Sequence, residues 1–145
     1  MANLYSQFTY DNALLIRAAT AAITSTETCA TILDLGVGLI DGYLIADVTA
    51  IDTVTGDEVY TLVLEGSPDA AFGTAANITV LAMQKIGGAT GAAPLGTADT
   101  AGRYCVPFRN ERNGVTYRYA RLYTVIAGTT PSLTFSAFLA KDCCC

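Results

Sequence analysis

Asp52, Asp57 and Glu58 gather three carboxylates around one short turn, DTVTGDE, where side-chain and backbone oxygens together can hold a hard cation such as calcium. Their spacing matches no calcium-loop signature, so the expectation is a solvated turn and no metal. Carboxylate hydrolysis would need two acids facing each other across a cleft at roughly 5–10 Å, and nothing in the spacing sets up such a pair. Gly36-Val37-Gly38 lacks the third glycine and following helix of a dinucleotide site. Histidine is absent from the chain, which removes the commonest general base, the usual metal ligand and the middle member of hydrolytic triads. The expectation is a protein with no catalytic residues, no cofactor and no enzymatic activity.

The five cysteines are unevenly placed. Cys29 and Cys105 sit inside strand-like runs and read as small core hydrophobes. Cys143, Cys144 and Cys145 close the sequence. Side chains of adjacent residues diverge and the fourth ligand is missing, so the three thiols do not make a tetrahedral zinc site. They read either as an inert reduced tail or as a source of interchain disulfides. Asn77-Ile78-Thr79 fits the glycosylation pattern and, with no secretory signal in MANLYSQFTYDN, reads as coincidence.

Arg103, Arg109, Arg112, Arg118 and Arg121 alternate with Tyr104, Phe108, Tyr117, Tyr119 and Tyr123, a mixture that can stack nucleobases. A formal net charge of −5 opposes phosphate binding, which depends on counterion release at Lys and Arg, so no nucleic-acid partner is expected. The arginines are expected to pair with carboxylates or to dock on another protein, where Arg and Tyr are enriched. Arg109, Arg112 and Arg118, concentrated beside Asn113-Gly114 in an otherwise acidic chain, are expected at a contact between subunits.

The elements that must carry these residues read as strands. In VTYRYARLYTVI, Val115, Tyr117, Tyr119, Arg121, Tyr123 and Val125 share one face and Thr116, Arg118, Ala120, Leu122, Thr124 and Ile126 the other, the two-residue period of a pleated sheet. Asn113-Gly114 accepts the positive φ values of a type I′ turn. RYCVPFRN, the run after that turn, and LTFSAFLAK are expected to form a closing antiparallel meander. YLIADVTAI and EVYTLVLEG, joined by DTVTGD with Gly56 free to turn left-handed, are expected to form a hairpin. ITVLAMQKI is a further strand and 87–102 an irregular connection. NALLIRAATAAI is ambiguous between helix and strand and leans to strand with the Thr-rich run after it. About eight strands result, which suits an all-β, two-sheet antiparallel sandwich of jelly-roll or related Greek-key topology.

The expected organisation is an extended arm over 1–12, one sandwich domain over 13–141 and a Cys-rich tail over 142–145. Tyr5, Phe8 and Tyr10 are the arm's expected anchors on a neighbouring subunit. At 145 residues the chain has single-domain length. It is 52% hydrophobic and only 14% charged, which points to apolar surface covered by a partner. No window reaches the roughly 18 apolar residues of a membrane helix, so no membrane partner is expected.

RYCVPFRN followed by YRYARLYTVIAGTTPSLTFSAFLAKD, with an early Asp34-Leu35-Gly36, the proline-containing Val106-Pro107-Phe108 and a terminal Ala137-Phe138-Leu139, resembles the small jelly-roll cement, or decoration, proteins of tailed-bacteriophage capsids. The resemblance spans most of the chain; the cysteine tail departs from it. It implies a structural protein made in the bacterial cytoplasm and carried on the outer surface of the virion, a homodimer or homotrimer that bridges adjacent major capsid protein subunits. A carbohydrate-binding, lectin-like jelly roll of a phage particle is the alternative, with the absence of Trp against it.

Overall fold

The alternation read from the sequence is what the backbone realises. In the strand Tyr119–Ala127, Ala120, Leu122, Thr124 and Ile126 are buried while Tyr119, Arg121, Tyr123 and Val125 are partly exposed on the other face. The computed structural model describes residues 11–87 and 100–141. Tyr5, Phe8 and Tyr10, most of the 87–102 connection, and Cys143 to Cys145 lie outside the described residues.

In chain order the strands are β1 (Leu15–Arg17), β2 (Glu27–Asp34), β3 (Asp41–Ile51), β4 (Val59–Ser67), β5 (Thr79–Gly87), β6 (Gly102–Arg109), β7 (Glu111–Arg112), β8 (Val115–Thr116), β9 (Tyr119–Ala127) and β10 (Leu133–Ala140). They form one sheet in the order β1-β10-β3-β6, a second in the order β2-β9-β4-β5, and the small β7-β8 ribbon, with antiparallel pairing throughout. We call the two large ones the β1 sheet and the β2 sheet. Their inner faces make a single core: Leu44, Ala46 and Val48 of β3 and Phe135, Ala137 and Leu139 of β10 cluster with Tyr60, Leu62 and Leu64 of β4 and Leu122 of β9. The molecule is an all-β, two-sheet antiparallel sandwich, as expected.

Strand partners differ from the expectation in two places. β3 and β4 do not form a hairpin: β3 pairs with β10 and β6, β4 with β5 and β9. Gly56 does take the left-handed conformation, at φ +79, but the turn makes a corner between the two sheets rather than a hairpin. The outcome follows from burial, because both strands carry a row of apolar side chains that bury each other across the interior rather than side by side. β6, β9 and β10 likewise are no meander, since β9 lies in the opposite sheet from the other two. Asn113 (φ 53) and Gly114 (φ 79) do make a turn with two positive φ values, but it closes the short β7-β8 ribbon.

The 12–23 run, expected as strand, is a single 3-10 turn at Asn12–Leu14 capped by the Asp11 carboxylate, then the three-residue β1. After β1 only Ile23 rejoins a strand, through a two-way backbone bridge to Leu133.

Leu122 is fully buried in the centre of the core, whereas Ile32 on β2 is 40% exposed. Leu122→Ala is expected to cost about 3 kcal/mol by urea unfolding, and Ile32→Ala about 0.5 kcal/mol or less.

Candidate interaction surface

Antiparallel strands that alternate sheets bring alternate loops to the same end of the sandwich. One end collects the β2–β3 loop, the β4–β5 connection and the β6-to-β9 link with its β7-β8 ribbon. The described chain also enters there, at Asp11 to Leu14 before β1, and leaves there, at Lys141 after β10.

Asn110 is the polar centre of this end and is 0% exposed. Its Oδ1 accepts from Ile40 N at 2.8 Å, and its Nδ2 donates to Gly38 O at 3.0 Å and Tyr117 O at 3.3 Å. Its backbone N–H donates to Ile40 O at 3.0 Å and its carbonyl accepts from Tyr117 N at 2.7 Å. One residue thus ties the β2–β3 loop to both sides of the β7-β8 ribbon, with the amide's principal donors and acceptor occupied.

Around this buried centre stand the arginines nominated from the sequence. Arg109 binds Asp41 through Nε (2.6 Å) and Nη2 (3.1 Å), and Arg118 binds Asp34 through Nε (2.8 Å) and Nη2 (2.7 Å), both bidentate. Arg112 donates from Nη2 to Leu81 O at 3.2 Å. The structure therefore brings Arg109, Arg112 and Arg118 to the same end, but two of the three are already matched by carboxylates. The Arg118 guanidinium, with help from the Gly36 N–H, holds the Asp34 carboxyl down at about 2, and Arg109 holds Asp41 below the usual carboxylate range. The reciprocal effect raises both arginines. Arg103 pairs with Asp47 and Arg121 with Glu65, so the Arg-Tyr stretch is divided between the two sheets and largely neutralised rather than laid out as a cationic track.

Between the ion pairs the surface is apolar. Val37 is 85% exposed, Leu39 57% and Val115 47%. Leu39, with Leu14, Ile40, Phe108 and Leu139, lines a cavity of about 520 Å³, with Asp34, Asp41 and Lys141 also in its wall. Gly42 beside it has to be glycine: a Cβ there would lie 2.7 Å from Ala140 O and 3.2 Å from the Phe108 ring, forcing β3 and β10 apart.

The three carboxylates of the Asp52–Glu58 turn sit at the opposite end and are consumed by local donors. Glu58, 1% exposed, accepts from Thr55 N (3.1 Å), the Thr55 hydroxyl and Gly56 N (2.8 Å). Asp57 accepts from Thr129 N and Oγ1, and Asp52 from Val54 N. Tyr60 Oη donates to Asp52 O at 2.6 Å and accepts from Ser132 N at 3.0 Å, joining the β3–β4 and β9–β10 loops. The Thr55 hydroxyl bond draws the Glu58 carboxyl downward, and Thr129 does the same to Asp57. No group of three metal-ligating side chains occurs among the described residues.

Cys29 is a buried free thiol, as expected for a core position, its pKa pushed up by burial against the lowering effect of Arg17. Cys105 is not a free core thiol: it is disulfide-bonded and packs with a small cluster on the outward side of the β1 sheet. The expectation failed because inward and outward positions of β6 both carry apolar residues. Asn110 and Tyr60 were not singled out from the sequence, where an asparagine between two strand runs looks like any turn residue and a tyrosine inside a strand looks like any core aromatic. No protein-family model and no curated protein matches the chain.

Asn110→Ala strands the Ile40 N–H and the Gly38 and Tyr117 carbonyls, and is expected to cost about 3 kcal/mol in urea unfolding. A carboxyl whose folded pKa is depressed contributes stability above its unfolded value, near 4, and loses it as pH falls towards the folded value of about 2. Asp34→Asn is therefore expected to flatten the fall of the urea midpoint between about pH 4 and pH 2 relative to the parent, while lowering the midpoint at pH 7.

Proposed function

We propose that this chain is a noncatalytic structural protein of a tailed-phage head, a cement protein that binds the outside of the expanded capsid and bridges neighbouring major capsid subunits. The observation that carries the reading is the composition of one end of the sandwich. Exposed Val37 and Leu39, an apolar cavity and the Arg109–Asp41 and Arg118–Asp34 pairs lie together at the end where the described residues begin and stop. The strand order β1-β10-β3-β6 facing β2-β9-β4-β5 supports the jelly-roll class, with its two interleaved Greek keys.

The physical requirements of a cement are modest and a frame of this kind meets them. A protein that binds only the assembled lattice stabilises it by mass action, and two linked footprints turn weak contacts into avidity. A specific footprint needs on the order of 1,000 Å² of total buried area, which one loop-covered end and an arm over 1–12 can supply. Homodimers or homotrimers multiply the footprints. Tyr5, Phe8 and Tyr10 remain the proposed arm anchors and Arg109, Arg112 and Arg118 the proposed polar contacts.

The test is co-sedimentation with expanded heads that lack the chain, scored by gel densitometry and by added density on the head surface in electron micrographs. The parent protein is expected to decorate the heads and raise their resistance to heating. Val37→Asp with Leu39→Asp, on an exposed loop, is expected to lower occupancy at least tenfold with the melting temperature unchanged, and deletion of residues 1–10, which leaves the Asp11 cap in place, is expected to do likewise. A solitary monomer that ignores phage heads would refute the reading.

A further inference from the structure

The inner face of the β2 sheet packs into the core, while its outward face carries an apolar surface open to water. On β4 and β9 the residues between the buried ones turn outward, and the ladder register aligns them with β2 and β5 in rows that cross all four strands. One row runs Thr28, Tyr123, Val63, Met83, and the next runs Ile32, Arg121, Glu65, Val80. Met83 is 60% exposed, Val80 47% and Ile32 40%, with Tyr123 and Val125 partly exposed beside them. A solvated sheet face ordinarily carries polar side chains at such positions. Here apolar ones reach from edge strand to edge strand instead of standing singly.

The charges on this face nearly cancel. Arg121 Nε donates to Glu65 Oε2 at 2.8 Å, and the two side chains are only 20% and 14% exposed. Phe72, from the β4–β5 connection, places its ring 4.3 Å from the Arg121 guanidinium, at a left-handed φ of 50 that a bulky residue rarely adopts. Two further charges stand outward on these strands: Lys85, in register with Thr61, and Asp34, which Arg118 matches. Identical faces that meet across a twofold axis present each charge to its own kind, so a face as acidic as the whole chain, at −5, would repel its copy. A neutralised face does not.

We propose that the outward face of the β2 sheet is where a second copy of this chain docks, sheet against sheet, in a twofold dimer with Val63 and Tyr123 at its centre. The area is sufficient. Four strands at the usual spacing are about 19 Å across, and the nine residues of β4 or β9 are about 30 Å long, which gives about 570 Å² in plan. Two copies cover about 1,100 Å² together, past the roughly 1,000 Å² of a specific contact and at the small end of that class. A dimer of this size is reversible and forms with concentration. Each dimer carries two of the loop-covered ends around Val37 and Leu39, yet its formation does not depend on what those ends bind.

The test is analytical ultracentrifugation of the full chain under reductant, so that no interchain disulfide contributes. The parent is expected at twice the monomer mass at concentrations on the order of 100 μM, and as monomer on dilution by about a thousandfold. Met83→Glu and Ile32→Glu stand on opposite edge strands, and each places an unpaired carboxylate in the contact. Each is expected to weaken the dimer by about tenfold or more while leaving the melting temperature of the dilute protein unchanged. The Val37→Asp, Leu39→Asp protein is expected to dimerise like the parent. In the unaltered chain, Met83 and Tyr123 are expected to take up hydroxyl-radical label less readily in the concentrated sample than in the dilute one. A parent of any mass other than the dimer's at the higher concentration, a dimer untouched by both glutamates, a dimer broken by the loop substitutions, or equal labelling of Met83 at both concentrations would overturn the proposal.

Discussion

Strands in opposite sheets exchange no ladder hydrogen bonds, so every place where this chain crosses the sandwich leaves backbone amides and carbonyls that need other partners. That constraint explains the buried polar residues. At one end Asn110 supplies two donors and an acceptor to the β2–β3 loop and the β9 lead-in. At the other, Glu58 takes the Thr55 and Gly56 N–H groups, and the Tyr60 hydroxyl bridges Asp52 O and Ser132 N. Each of these three residues is 1% exposed or less. An interior of this kind tolerates polar atoms only when they are saturated, and here saturation coincides with fixing the corners of the chain path.

The strands were legible because their signal is local. Period-two alternation in the β9 run assigns an inner and an outer face from a dozen residues, and the positive φ values at Gly56, Asn113 and Gly114 follow from residue type. Strand partnership was not legible, because it depends on distant segments. β3 meets β10 some ninety residues later in the sequence, and no turn residue near Asp52 encodes that. The same distance defeats site reading. Arg118 finds Asp34 and Arg109 finds Asp41 across separations of 84 and 68 residues, so the arginines looked like one cationic cluster when each has its own acid. Cys105 was misread for the companion reason that β6 is apolar on both faces, which hides the side facing outward.

The pairing of those arginines sets what the exposed end can recognise. A guanidinium held bidentate by a carboxylate offers a partner only its remaining N–H groups and its flat face, and the net field of the pair falls off quickly. Arg109 and Arg118 stay half exposed in their pairs. They can donate hydrogen bonds at the rim of a contact while Val37 and Leu39 supply the desolvated centre. A partner that relied on charge alone would have to displace Asp34 or Asp41 first, with no gain in ion pairs. On the proposed cement reading, such a surface suits an apolar, shape-matched protein neighbour better than phosphate, in keeping with an acidic chain of low charge density.

Entry of the described chain at Asp11 and its exit at Lys141 on the same end of the sandwich has a mechanical consequence. A bridging protein must transmit load between its contacts, and load entering through an arm at 1–12 would pull on β1, a strand of only three residues paired on one side to β10. β10 in turn is paired along its whole length with the eleven-residue β3. Force applied there would be handed to the β3–β10 ladder, running along the strands, where antiparallel hydrogen bonds are loaded in shear rather than peeled one at a time.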